Sequence, residues 1–194
     1  ELPIIVPPYA TEPESYQPYA RNELSLVRPW AIPGMAGFEH RIGGLEKSHI
    51  TGEVNYQPAN HELMTQLRAK KIQRLAEILP PATVEGNEKG DVLVIGWGST
   101  YGAIRTAVHR LQEKGRAVSH LHVKYLNPLP RNFSDVISKF KAVLIPELNL
   151  GQFALLVRAQ CRVPVYQLNK VQGLPFRAQE IEAKIEELLS GELR

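Results

Sequence analysis

The second half of this sequence predicts an α/β fold built on a doubly wound, parallel sheet, and three observations carry that prediction. Residues 91–95, Asp91-Val92-Leu93-Val94-Ile95, form a β-branched, apolar run of the kind buried on both faces of a parallel sheet. Three further apolar runs follow, and stretches of helical period stand between them. Four strands alternating with helices close into one sheet by right-handed crossovers.

The elements follow in order. Residues 1–57 are irregular, punctuated by Pro7-Pro8, Pro18, Pro29, Pro33-Gly34 and Gly43-Gly44. Each proline removes an amide donor and pushes its predecessor toward extended geometry, so long helices and central strands are excluded there. Tyr9, Tyr16, Tyr19, Trp30, Ile32, Phe38 and Tyr56 nonetheless give the segment more apolar area than a solvated linker carries. It reads as an ordered arm laid against its own domain, an absent domain or a partner. Residues 60–79 turn helical, with Asn60 as the cap, Met64, Leu67, Ile72, Leu75 and Leu79 near one face, and Arg68, Lys70, Lys71 and Arg74 on a solvated one. Pro80-Pro81 stops that helix. Residues 82–85 can add an edge strand. Then come a strand at 91–95, a helix at 100–114 closed by Gly115, and a strand at 118–123. A short helix at 132–140, a strand at 142–145, a helix at 150–160, a strand at 163–168 and a helix at 178–189 complete the series.

Composition narrows the function classes. Of the fifteen prolines, ten fall in the first 81 positions, which sets a connector at 1–81 apart from an α/β domain at 82–194. The net charge of +3 divides into −1 before Ala82 and +4 after it, with basic and acidic residues interspersed, so no nucleic-acid partner is expected. No run approaches the roughly 18 apolar residues of a membrane span, and no membrane association is expected. The single cysteine, Cys161, excludes a disulfide framework and an iron–sulfur or structural zinc site made by this chain alone, and points to a reducing, cytoplasmic setting. The chain begins at Glu1 without a methionine, and a piece of a longer polypeptide is expected.

Ligands of such sheets meet the loops beyond the carboxyl ends of the strands. The candidates there are Gly96, Gly98, Ser99, Thr100, Tyr101 and Gly102 in the first loop, Asn127 in the second, and Glu147, Asn149 and Gln152 in the third. The first loop has the spacing GxGxxxG instead of the dinucleotide GxGxxG, and Val123-Lys124 stand where a ribose-binding acid belongs. Tight strand-to-helix packing, with Ser99 or Thr100 as a cap, is the favoured reading. Glu147, beside Asn149 and Gln152, is placed to orient a ligand or to receive a partner's hydrogen bonds, with a helix cap or an interface contact the favoured reading, and no second carboxylate stands nearby in sequence to make an acid/base pair. His61-Glu62 starts like the zinc-protease HExxH, but Thr65 occupies the fifth position. His40, His49 and His61 with Glu39, Glu46 and Glu62 match no metal-ligand spacing. No catalytic residue and no metal ligand is assigned.

Several long motifs bear a resemblance. Arg28-Pro29-Trp30-Ala31-Ile32-Pro33-Gly34, Glu39-His40-Arg41-Ile42-Gly43-Gly44-Leu45-Glu46-Lys47, Asn60-His61-Glu62-Leu63-Met64 and Arg68-Ala69-Lys70-Lys71 come first, and residues 91–102, 125–130, 146–152 and 169–176 continue in order. Together they resemble the alpha subunit of 2-oxoacid:ferredoxin oxidoreductases, nearest the 2-oxoglutarate type. The resemblance implies a thiamine-diphosphate and magnesium enzyme that decarboxylates a 2-oxoacid, passes electrons through an iron–sulfur cluster to ferredoxin, and yields an acyl-CoA. It implies that 82–194 is a transketolase C-terminal-like domain: a three-layer α/β/α sandwich on a mainly parallel five-stranded sheet of order 1-3-2-4-5, with strand 1 antiparallel at 82–85. The remaining alpha-subunit domains and the beta subunit are the implied partners, and hold the cofactors. The segment itself is then a scaffold, inactive alone, whose strand-exit loops and aromatic arm are contact surface. A stand-alone nucleotide- or anion-binding module using Gly96 to Gly102, and a dimerisation domain, are the alternatives.

Overall fold

The computed structural model describes residues 6–191. Internal contacts divide the chain into two units, Glu1–Leu75 and Ala76–Arg194.

The first unit is mostly irregular, as its prolines dictate, yet its backbone groups are paired. The Ala10 N–H donates to the Trp30 carbonyl and the Trp30 N–H to the Pro8 carbonyl, each at 2.8 Å. Lys47 and Val54 face each other across a tight antiparallel bridge. Tyr16 packs edge-on against both Phe38 and His40. Helix α1, Pro58–Arg74, opens on a proline in its first turn, where a missing amide costs nothing, and passes into a 3-10 turn at Leu75–Glu77. The helix therefore starts two residues before the expected Asn60 cap and ends before Leu79. Asn60 Nδ2 donates instead to the Lys47 carbonyl, 2.9 Å away. The anticipated apolar face is also cut short: Met64 is buried, whereas Ile72 and Leu75 are exposed.

The second unit is the sheet domain. Its strands are β1 (Val84–Glu85), β2 (Gly90–Trp97), β3 (Val118–Val123), β4 (Phe140–Glu147) and β5 (Val165–Asn169). They lie in the order β1-β3-β2-β4-β5, parallel throughout except for the antiparallel β1–β3 pair. The helices are α2 (Tyr101–Glu113), α3 (Phe133–Ile137), α4 (Gln152–Gln160) and α5 (Ala178–Ser190). Because successive side chains of a strand point to opposite faces, β2 supplies both cores. Leu93 and Ile95 join Phe133, Ile137, Phe153 and Val157 under α3 and α4. Val92 and Val94 join Ile104, Leu111, Ile181 and Ile185 under α2 and α5. The result is the three-layer α/β/α architecture. Boundaries shift by a few residues: β5 starts at Val165 instead of Val163, and β1 is only two residues long.

Candidate functional site

The chain leaves β2 for β3 on one side and later reaches β4 on the other, so the strand order reverses at β2. The crevice outside the carboxyl ends of β2 and β4 is the topological switch point. One wall is the segment Trp97 to Gly102; the other is Glu147 to Gln152.

On the first wall the glycines serve packing. Gly96 is buried in the sheet, and a Cβ there would overlap Ile104 and stand 2.9 Å from Thr100 Oγ1. After Trp97, Gly98–Thr100 make a 3-10 turn leading into α2. Thr100 Oγ1 accepts the Trp97 N–H at 3.2 Å and donates to the Trp97 carbonyl at 2.9 Å. Its hydroxyl thus closes the turn and does not cap α2, which has no side-chain cap. Gly98, Ser99, Tyr101 and Gly102 are exposed.

The second wall is organised by Glu147, which is fully buried at the end of β4. One carboxylate oxygen, Oε1, accepts the Phe153 N–H at 3.0 Å, Asn149 Nδ2 at 3.1 Å and the Trp97 indole N–H at 3.4 Å. The other, Oε2, accepts the Ala154 N–H at 3.0 Å. A buried anion therefore satisfies the second and third amides of α4, where the helix dipole is positive, and the Trp97 bond ties the two walls together. Asn149 Oδ1 accepts the Gly151 N–H at 2.6 Å and the Gln152 N–H at 3.3 Å. Those Asn149 contacts and the Gly151 φ of +90° explain why α4 begins at Gln152 instead of Leu150. Gly151→Ala is expected to lower stability by about 1–2 kcal/mol through that left-handed conformation, read as a lower urea midpoint. Gln152 is exposed, as is Asn127 in the loop after β3. Of the ten candidates, the two walls carry eight; Gly96 lies buried within β2, and Asn127 stands on the neighbouring loop.

The loop after β5, residues 170–177, is held by Lys170. Its ammonium donates to both oxygens of Glu180 at 2.9 Å and to the Pro175 carbonyl at 3.1 Å. Glu180 in turn accepts the Arg177 N–H at 2.6 Å at the start of α5. These contacts hold the Glu180 carboxyl below its ordinary range, the Arg177 amide foremost and Lys170 next.

Beside the first wall lies a cluster that the sequence reading passed over. Val118, His120 and His122 share one face of β3, the α2 side, with the Tyr101 ring within 5.4 Å of both imidazoles. His120 is 1% exposed, and neither ring nitrogen has a hydrogen-bond partner among the described residues. Burial pushes its pKa down to about 4; Glu85 Oε2, 3.7 Å away, opposes that shift, while His122 adds to it. His122 is lowered as well, again chiefly by burial. The Tyr101 hydroxyl donates to Glu85 at 3.0 Å. The signal was the alternation in Ser119-His120-Leu121-His122-Val123, which puts two imidazoles on one face of a strand otherwise read as apolar.

The histidines and glutamates of the first unit do not converge. His40 bonds the Phe38 carbonyl, while His61 pairs with Glu46 at 2.8 Å. Among the described residues no group of three His, Cys, Asp or Glu could hold a metal ion. Cys161, half-buried at the end of α4, has its thiol pKa pushed up by burial, opposite to what a reactive thiolate or cluster ligand needs. No helix of the described residues is long and apolar enough to cross a membrane.

A three-layer domain with this strand order and this carboxylate-braced crevice defines a class, and residues 90–181 match the pyruvate:ferredoxin oxidoreductase core domain II. The chain is 44% identical over 194 residues to the 2-oxoglutarate oxidoreductase subunit KorA of Mycobacterium tuberculosis, covering 99% of this chain and 29% of that protein. It is 35% identical to 2-oxoacid:ferredoxin oxidoreductase 1, subunit alpha, of Aeropyrum pernix over 113 residues, which cover 55% of this chain and 18% of that one. The solved 2-oxoglutarate:ferredoxin oxidoreductase from Magnetococcus marinus, with 2-oxoglutarate, coenzyme A and succinyl-CoA bound, superposes with a TM-score of 0.86 at 33% identity, over 97% of this chain and 33% of that one. Along nearly its whole length the chain is therefore similar to alpha subunits of 2-oxoacid:ferredoxin oxidoreductases. It spans about a third or less of the length of these relatives.

Proposed function

We propose that this chain is part of the alpha subunit of a 2-oxoacid:ferredoxin oxidoreductase acting on 2-oxoglutarate and making an acyl-CoA, and that it contributes scaffold and interfaces to that enzyme. The similarity along nearly the whole chain to the 2-oxoglutarate enzyme of Magnetococcus marinus carries the reading. The crevice supports the scaffold role: its most buried polar groups, Glu147 and Thr100, have their hydrogen bonds inside the domain. The exposed apolar side chains of the first unit, Trp30, Ile32, Ile42 and Tyr56, supply surface for neighbouring domains or a beta subunit.

Thiamine diphosphate with magnesium and an iron–sulfur cluster belong to the parts of the enzyme outside this chain. The residues present do not suit them. One desolvated thiol is no cluster ligand set, and at the Gly96 loop Thr100 Oγ1 and the packing of Gly96 against Ile104 spend the turn on internal contacts. That internal packing, with the GxGxxxG spacing, weighs against a stand-alone nucleotide-binding module using Gly96 to Gly102.

The test compares the isolated chain with the complete enzyme. The complete enzyme is expected to reduce ferredoxin when given 2-oxoglutarate and coenzyme A, while the isolated chain neither does so nor takes up thiamine diphosphate in a calorimetric titration. Turnover or tight cofactor binding by the isolated chain rejects the scaffold role; a complete enzyme that ignores 2-oxoglutarate rejects the substrate.

A further inference from the structure

A cavity of about 560 Å³ lies within the first unit. Residues 1–75 carry eight basic and eight acidic side chains, so this unit is electrically balanced. The cavity is not: Arg21, Arg28, Lys47, Arg68 and Lys71 line it, with Glu46 as the lone carboxylate among the described residues. Among the described residues of this unit, five of the eight basic groups but one of the seven acidic groups therefore face a single space.

Several of these cations are fixed by contacts that leave charge uncompensated. Arg28 stacks over the Tyr19 ring at 4.2 Å and donates to the Pro18 carbonyl. Arg21 donates to the Tyr19 and His49 carbonyls, both at 2.8 Å. Lys47, 2% exposed, reaches the Gly43 and Leu45 carbonyls and braces the loop between them. Glu46 is held by Arg68 and His61, which depress its pKa to about 2, Arg68 being the larger cause. Among the described residues Arg21, Arg28 and Lys71 have no acidic partner. Burial first, then Arg28 and Arg68, lower the Arg21 pKa, which reports the crowding of positive charge.

The lining also suits a phosphate. Gly43-Gly44 have nothing within 4 Å of where a Cβ would stand, so bare backbone borders the cavity. Guanidinium forks and a point-charge ammonium match phosphate oxygens, and four net positive charges exceed what one carboxylate requires. The Tyr19 ring, Leu26 and Met64 add an apolar and aromatic wall for an organic portion.

We propose that this cavity binds a small phosphate-bearing polyanion of the size and charge of a nucleoside diphosphate. It rests on the cavity alone and not on the enzymatic reading above. Calorimetric titration of the 194-residue chain with ADP, inorganic pyrophosphate and citrate tests it. ADP and pyrophosphate are expected to bind at about 0.1 mM or tighter in low salt, and more weakly as salt rises. Lys71→Glu and Arg28→Gln are expected to weaken binding about tenfold or more, with circular dichroism unchanged for Lys71→Glu. Lys70→Glu, exposed on the same helix but outside the lining, is expected to leave binding unchanged. Pyrophosphate binding without ADP binding supports the phosphate assignment and restricts the ligand's size. No heat from any probe, equal losses in Lys70→Glu and Lys71→Glu, or citrate binding as tight as pyrophosphate overturns the proposal.

Discussion

Glu147→Ala is expected to cost the sheet domain about 3–5 kcal/mol, the range for removing one partner from a buried, hydrogen-bonded charge. The loss has two parts. The amides of Phe153 and Ala154, the Asn149 amide and the Trp97 indole lose their acceptor together, and each buried donor left unpaired costs about 1–3 kcal/mol. The vacated side-chain volume adds a cavity term. Glu147→Leu separates the two, because it fills the space while leaving the donors orphaned; it is expected to destabilise nearly as much as alanine. Glu147→Gln keeps one oxygen and is expected to cost less. Urea unfolding followed by Trp97 fluorescence measures all three. An alanine variant within about 1 kcal/mol of the parent would remove Glu147 from the architecture of the crevice.

The second large effect is acid sensitivity of the same domain. The folded His120 imidazole takes up its proton near pH 4, the unfolded one near 6.5. Between those values the unfolded chain binds more protons, so each step down in pH favours unfolding. The stabilisation is complete above about pH 6.5 and is lost as pH falls toward 4, by about 3 kcal/mol over the window and roughly 2 kcal/mol by pH 5. His122 acts in the same direction; Glu85, which faces both imidazoles from β1, opposes. Arg105 adds a smaller lowering at His120, and Lys124 does so at His122. His120→Leu is expected to flatten the pH dependence and, by removing two unpartnered buried nitrogens, to raise the urea midpoint at pH 7. Equal parental midpoints at pH 7 and 5, or a leucine variant with the parental slope, would contradict this account.

How much was legible in the sequence differs by element. The strands of the sheet were, because 91–95 and 142–145 are apolar runs that only a strand buried on both faces accommodates. Their order was not a matter of periodicity; it came with the resemblance, since nothing in the run at 142–145 says which edge of β2 it takes. At α1 the amide side chain of Asn60 looked like a cap, while Pro58, equally suited to the first turn, was the true start. Glu147 was legible as a cap or contact, but its reach to Trp97 spans fifty residues of sequence and needs the sheet to close it. The cationic cavity was illegible for the same reason. Arg68 and Lys71 read as part of a solvated helix face, and only the folded loop carrying Arg21, Arg28 and Lys47 turns that face into a wall. Arg74, from the same expected face, donates instead to the Glu23 and Leu24 carbonyls.

The position of β2 has a consequence for synthesis. This strand leaves the ribosome before both of its neighbours, and the second of them, β4, ends only at Glu147. A nascent chain grown as far as Val123 can pair β1, β3 and β2, but it leaves the long apolar edge of β2 open until some twenty more residues have emerged. During that interval the growing polypeptide exposes its stickiest strand to every other chain nearby, and a pause in translation between Lys124 and Lys139 would lengthen the exposure.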